Sequence, residues 1–317
     1  MGFWSINPYV GCEFGCAYCY ARETHRWTVE RAANQRDAPG TSREAARLPV
    51  AEGFERRILV KVTAPQVLEQ SIDPARLGTT PIVIGSATDP YQPAERRFAV
   101  TRQLLEVFRK HEGLHLGIIT KSALIARDAE LLAELSRRHA VTVHFSIGSL
   151  DRELLRRLEP RSAAPHTRLR ALRRLTALGV SCDVLIMPIL PGLTDGEDEL
   201  RAVVGAAKEA GAVAVAGGSV RMGPATRNTL LPWLERHRPA LAARYRRHFG
   251  EEDYVSKGYA SALRERLHRL QEEAGFDAAE GERRERRVSG SARWKPLQTE
   301  LFGASTTSGA PGTSAAS

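Results

Sequence analysis

The chain has 317 residues, 42% apolar and 26% charged, with 26 glycines and 17 prolines, a mixture that excludes a fibre or a wholly disordered chain. Its basic excess is 46 minus 37, or +9, carried by arginine since only six lysines occur; this suits an acidic partner such as nucleic acid and equally a solvated surface. No run approaches 18 consecutive apolar residues, and the opening MGFWSINPYV is too short and mixed for a secretory segment, so the expected setting is the cytoplasm, without membrane contact.

Phe3 to Asn7 reads as a first short strand. Directly after it stand three of the four cysteines, Cys12, Cys16 and Cys19, within NPYVGCEFGCAYCYAR. In a reducing compartment, thiols spaced this closely act as metal or cluster ligands rather than as a disulfide framework. Gly11 and Gly15 let the chain wrap so that three thiolates meet one centre. Two centres fit: a zinc ion completed by His25, or an iron–sulfur cube with one iron free of protein ligands.

Asn34 to Glu52 reads as a polar, irregular connection, Ile58 to Lys61 as a short extended run, and Pro65 to Ile72 as a helix. Pro81 to Ser86 is a continuous apolar run bounded by Pro and Gly, as in a strand buried on both faces, and Ala94 to His111 has helical periodicity. Strand and helix then alternate: His115 to Thr120 with Asp128 to Arg138, Val141 to Ile147 with Arg152 to Leu158, and Ser181 to Met187 with Gly196 to Ala210. Val213 to Val220 closes the series. Alternating units of this kind build a parallel sheet, either open or coiled into a barrel, and no GxGxxG follows a strand to suggest a dinucleotide fold.

Beyond the last strand, Ala225 to Ala274 reads as helical and arginine-rich. Arg283 to Arg287 holds four arginines around Glu285, able to track a phosphate backbone or to serve as a solvated face. The expected division is therefore a core of residues 1–224, a helical extension of 225–302 and a disordered tail of 303–317.

Polar residues collect at the strand ends. Gly85 to Glu95 (GSATDPYQPAE) carries Thr88 and Asp89, a hydroxyl and a carboxylate able to accept hydrogen bonds from an ammonium group or to make an ordinary turn. The next strands end in Thr120-Lys121 and in His144-Phe145-Ser146. Leu158-Glu159-Pro160 follows, then His166 and Arg168, the latter either an anion contact or a surface helix residue. Met187 and Pro188 end the fifth strand, and Cys182 at its start reads as a small core residue.

Cys-x3-Cys-x2-Cys, with Tyr18 before the last cysteine and Tyr20 after it, resembles the signature of the radical S-adenosylmethionine (radical SAM) superfamily. The strand-end segments resemble its spore photoproduct lyase-like branch, over about Ile6 to Val220. The resemblance implies an α/β fold, an incomplete (β/α)6 TIM-like barrel of the radical SAM type with a helical C-terminal extension, and chemistry at the C-terminal strand ends. It implies that Cys12, Cys16 and Cys19 hold a 4Fe-4S cluster whose free iron is chelated by the amino and carboxylate groups of S-adenosylmethionine. In that scheme Tyr18 lies near the adenine, Thr88 and Asp89 hold the methionyl amine, Lys121 pairs with the carboxylate, Ser146 contacts the same ligand, and Met187 with Pro188 buries the adenine.

The implied activity is reductive cleavage to methionine and a 5′-deoxyadenosyl radical that abstracts hydrogen from a substrate, with an external one-electron reductant of the flavodoxin or ferredoxin type. Photoproduct lyases use a cysteine as hydrogen donor where this chain, aligned on Asp89, has Ser86, and an alcohol O–H is too strong a bond to replace a thiol. DNA photoproduct repair is thus the alternative within the family. A zinc-stabilised, non-catalytic nucleic-acid-binding protein is the alternative outside it.

Overall fold

The apolar runs pair side by side in chain order. In the computed structural model, which describes residues 2–24, 50–250 and 252–277, β1 (Trp4–Ile6) is followed by a small antiparallel ribbon of β2 (Tyr9–Val10) and β3 (Leu59–Val60). Five more strands come after it: β4 (Ile82–Ile84), β5 (His115–Thr120), β6 (Ala140–Ser146), β7 (Ser181–Ile189) and β8 (Ala214–Ser219). With β1 they form one six-stranded parallel sheet in the order β1-β4-β5-β6-β7-β8. Each strand lies beside its predecessor in the sheet, so right-handed crossovers all advance in one direction and gather the helices on one face. Among the described residues β1 and β8 do not pair, and the fold is an incomplete (β/α)6 barrel.

Side chains alternate across these strands. Ile84, Ile118, Val143, Phe145, Val184 and Ile186 point to the helices and form the main core, which also holds Cys182. That thiol, with no exposed surface, therefore faces away from the barrel interior, and burial pushes it up to about 12. The opposite face carries Val83, Gly117, His144 and Asp183, which with Pro81, His115, Ala140 and Ser181 line an open cavity of about 280 Å³ at the N-terminal ends of the strands.

Among the described residues the α-helices are α1 (Val50–Arg56), α2 (Ala64–Ser71), α3 (Pro74–Leu77), α4 (Glu95–Phe98), α5 (Val100–Phe108), α6 (Ala129–Ser136), α7 (Arg152–Leu158), α8 (Pro165–Ala177), α9 (Glu197–Glu209), α10 (Pro224–His237), α11 (Pro239–Phe249) and α12 (Lys257–Glu273). The helix expected over Ala94 to His111 is two helices, broken at Ala99, whose φ is 50°. The break is compensated locally: the Glu95 carboxylate of α4 accepts from Thr101 N (2.9 Å) and Arg102 N (3.1 Å), capping the first turn of α5. The sequence reading offers helix here only as one alternative for Arg168 and gives α8 no bounds, although Leu169, Leu172 and Leu175 recur at helical spacing and are buried in the main core.

The helical region after residue 224 serves two cores. Leu230, Leu234, Tyr245 and Phe249 of α10 and α11 join a second apolar cluster with Cys12, Phe14, Cys16 and Leu158. Leu263, Leu267 and Leu270 of α12 enter the main core, where an added Cβ at Gly217 of β8 would stand 2.5 Å from Leu267 Cδ1. His25, the stretch from Asn34 to Pro49, Arg283 to Arg287 and the tail lie outside the described residues.

Candidate cofactor site

The cysteine loop is seated by backbone contacts. Gly11 has φ 89°, and a Cβ there would stand 2.6 Å from Phe54 O, so only glycine fits this approach. Cys12 N bonds Phe54 O and Ala17 N bonds Leu158 O, both at 2.9 Å. Arg22, buried and paired with Glu55, donates to Cys16 O at 3.1 Å and lies over the Phe54 ring. All three thiols are free, and Cys12 and Cys16 are buried.

Burial pushes the three thiols up, and the would-be thiolate of Cys16 is further opposed by Cys19 and Cys12. Against this, Cys12 is offered the backbone N–H groups of Phe14 and Asp89, and Cys19 those of Ala21 and Arg22. Three neighbouring thiols, two of them with aimed N–H donors, fit a polynuclear iron–sulfur centre, whose cationic irons make three adjacent thiolates stable together. Among the described residues no group of three or more His, Cys, Asp or Glu side chains is arranged to hold a single metal ion. Ligands to separate corners of a cube need not be so arranged.

The ends of β4 and β5 lock onto this loop. Thr88 Oγ1 donates to Gly11 O at 2.5 Å, and Gln92 Nε2 donates to the same carbonyl (3.2 Å) and to Thr88 Oγ1 (3.0 Å). Asp89 accepts from Thr120 Oγ1 (2.8 Å), Tyr91 N (2.9 Å) and Lys121 N (2.7 Å). Burial raises its carboxyl, and these hydrogen bonds pull in the other direction. Thr88 and Asp89 thus tie two strand ends to the loop while standing beside Cys12.

Lys121, Ser146, Met187 and Tyr18 converge next to them. Lys121 Nζ donates to Ser146 Oγ at 2.5 Å, Ser146 Oγ donates to Met187 O at 3.1 Å, and the ammonium lies 5.6 Å from the centre of the Tyr18 ring. Lys121 Nζ is also 4.0 Å from Glu159 Oε1. The Met187–Pro188 peptide is cis.

Sequence reasoning missed Glu159 as part of this site and left Arg168 open. Pro160 disfavours helix at the preceding residue, so α7, capped at its start by Asp151, ends at Leu158 and leaves Glu159 just outside it. Pro165 then starts α8 and carries Arg168 back toward Glu159. Arg168 is neither a surface residue nor an open anion contact, because its guanidinium is fully buried against the Glu159 carboxylate. It also donates to Ser146 O and Ala163 O, each at 2.7 Å. Glu159 accepts in addition from the Tyr18 hydroxyl and from Ser162 Oγ (2.9 Å). Burial by itself would raise this carboxyl, but Arg168, Lys121 and Tyr18 hold it down at about 2. His166 is exposed on the far side of α8.

Ser86 Oγ is 2.5 Å from Ser5 Oγ and 3.3 Å from Asn7 Nδ2, and Tyr20, 55% exposed, donates its hydroxyl to Ser86 O. Around the C-terminal helices the arginines are extensively paired: Arg246 with Glu235, Arg269 with Glu197 and Glu273, and Arg201 with Glu197 and Glu273. None of the described helices is long and apolar enough to cross a membrane.

Known proteins resemble this chain in sequence and in fold. The family model described as the Radical SAM superfamily matches residues 6–204. An uncharacterised protein of Mycobacterium tuberculosis (strain ATCC 25618 / H37Rv) is 31% identical over 264 residues, covering 83% of this chain and 72% of that one. An uncharacterised protein of Methanocaldococcus jannaschii is 28% identical over 192 residues, 61% of this chain and 62% of that one. Among solved structures, a spore photoproduct lyase variant with bound AdoMet and dinucleoside spore photoproduct has a TM-score of 0.58 over 86% of this chain and 74% of that chain, at 15% identity.

Proposed function

The chain belongs to the radical SAM superfamily, and from that membership we propose that Cys12, Cys16 and Cys19 hold a 4Fe-4S cluster and that the strand ends beside them take S-adenosylmethionine. Bound there, the pair supplies reductive carbon–sulfur cleavage to methionine and a 5′-deoxyadenosyl radical, which abstracts hydrogen from a substrate in the barrel.

The convergence of three thiols, two of them offered backbone N–H groups, with Lys121, Ser146 and Asp89 at neighbouring strand ends carries this proposal. Lys121, with its side chain 15% exposed and aimed by Ser146, offers an ammonium to the methionyl carboxylate. Asp89 uses three acceptor positions internally, and a carboxylate has about four, so one remains for the methionyl amine. Tyr18 and Met187 give apolar surface for the adenine, and the Thr88–Gly11 bond keeps the loop from moving relative to β4.

Ser86, an alcohol engaged with Ser5 and Asn7, favours a reaction without a thiol hydrogen donor at that position, and Cys182 packs among the helices. The proposal therefore stops at hydrogen abstraction, ahead of DNA photoproduct repair.

Anaerobic reconstitution tests it. Protein that folds should take up about four iron and four sulfide per chain and release 5′-deoxyadenosine on reduction with dithionite or a reduced flavodoxin. Folded protein that retains zinc but no iron would refute it, and so would an iron-loaded sample that leaves S-adenosylmethionine intact.

A further inference from the structure

We infer that Glu159, clamped by Arg168, is a positioning residue that fixes the Cys16–Cys19 segment and places a negative charge behind it, keeping a cluster held there strongly reducing. The inference rests on the cluster reading above.

A buried carboxylate is costly unless it is paired and hydrogen-bonded, and here both conditions are met by residues that converge from three elements. The side chains of Glu159 and Arg168 have no exposed surface. Tyr18, which donates to Glu159, stands between Cys16 and Cys19; Ala17, the other residue of that interval, donates its N–H to Leu158 O. Both residues separating the two cysteines are therefore bonded to the end of α7, and only one of those bonds brings a charge with it. Its partner cation, Arg168, spends its remaining donors on Ser146 O, Ala163 O and Ser162 Oγ. Lys121, 4.0 Å from Glu159, is the cation on the strand-end side.

This arrangement has an electrostatic consequence. Adding an electron to a cluster makes it more negative, so a fixed anion nearby disfavours reduction and lowers the potential, while a fixed cation raises it. Glu159 meets that segment directly, through the hydroxyl of Tyr18, the residue between Ala17 and Cys19. If the ion pair served only to hold α8 in place, the carboxylate would have no reason to be bonded through Tyr18 to the cysteine loop.

The test is a redox titration of reconstituted holoprotein, followed by the electron paramagnetic resonance signal of the reduced cluster, with iron content measured alongside. Glu159→Gln removes the charge and keeps the shape, and should shift the midpoint potential upward. Glu159→Asp keeps the charge and should stay close to the parent. Arg168→Gln removes the neighbouring cation and should shift it downward. An unmoved potential in iron-loaded E159Q, shifts of the same sign in E159Q and R168Q, or loss of iron from both would overturn the inference. If the unmutated protein takes up no iron, the cluster reading itself has failed; iron uptake with an unmoved E159Q potential defeats only this inference.

Discussion

Replacing Arg168 by methionine isolates what the buried ion pair contributes to folding. Methionine keeps an unbranched apolar stem of similar reach, so the loss is chiefly the charge and its donors. Glu159 is held at about 2 against an ordinary 4.5, a gap that corresponds to about 3 kcal/mol of stabilisation above the ordinary value. Breaking a fully buried pair costs about 3–5 kcal/mol by the same logic, because the remaining carboxylate stays desolvated.

Part of that cost is the donor lost to each of the carbonyls of Ser146 and Ala163, worth about 1 kcal/mol apiece. We expect R168M to lower the urea unfolding free energy by about 3–5 kcal/mol at pH 7, read by circular dichroism on reduced protein. A depressed carboxyl stabilises above its unfolded value and loses that contribution as pH falls through its folded value. The gap between parent and variant should therefore narrow between about pH 4.5 and pH 2. The double variant E159L/R168M should be more stable than R168M, since it leaves no lone buried charge. A loss below about 1 kcal/mol, or a gap that stays constant down to pH 2, would refute the account.

Three further outcomes are expected. Gly11→Ala forces a Cβ to within 2.6 Å of Phe54 O at φ 89° and should cost about 2–5 kcal/mol with loss of iron uptake; Gly78→Ala, at φ 52° in open space, should cost about 1–2 kcal/mol and keep it. Cys12→Ala, Cys16→Ala and Cys19→Ala should each abolish the visible iron–sulfur absorption, whereas Cys182→Ala, altered on the helix side of β7, should leave it intact. Leu267→Ala should lower stability by about 2–5 kcal/mol in thermal unfolding, because α12 fills the main core over β8; a cost under about 0.5 kcal/mol would mark α12 as a dispensable appendage.

Much of the site was legible because its signals are local. The cysteine spacing, the Thr88-Asp89 turn and the Thr120-Lys121 pair each lie within a few residues, and the apolar runs before the last two place them at strand ends. The Ala99 break was not legible. No residue at 94–99 forbids a continuous helix, and the break depends on Glu95 capping Thr101 and Arg102. α8 carried a readable period in Leu169, Leu172 and Leu175, and the arginines between them obscured it.

The amino-acid order alone determined the class of fold and the three thiols, since strand periodicity, crossover handedness and ligand spacing are properties of short segments. The tertiary structure decided which polar groups meet. Glu159 reaches Tyr18 across 141 positions of chain, and Arg168 is buried with it by the turn between α7 and α8. Cys182 turns away from the interior because its place in the alternation of β7 faces the helices. Such long-range pairings depend on packing and on the cost of leaving a charge unpaired, which no single segment encodes.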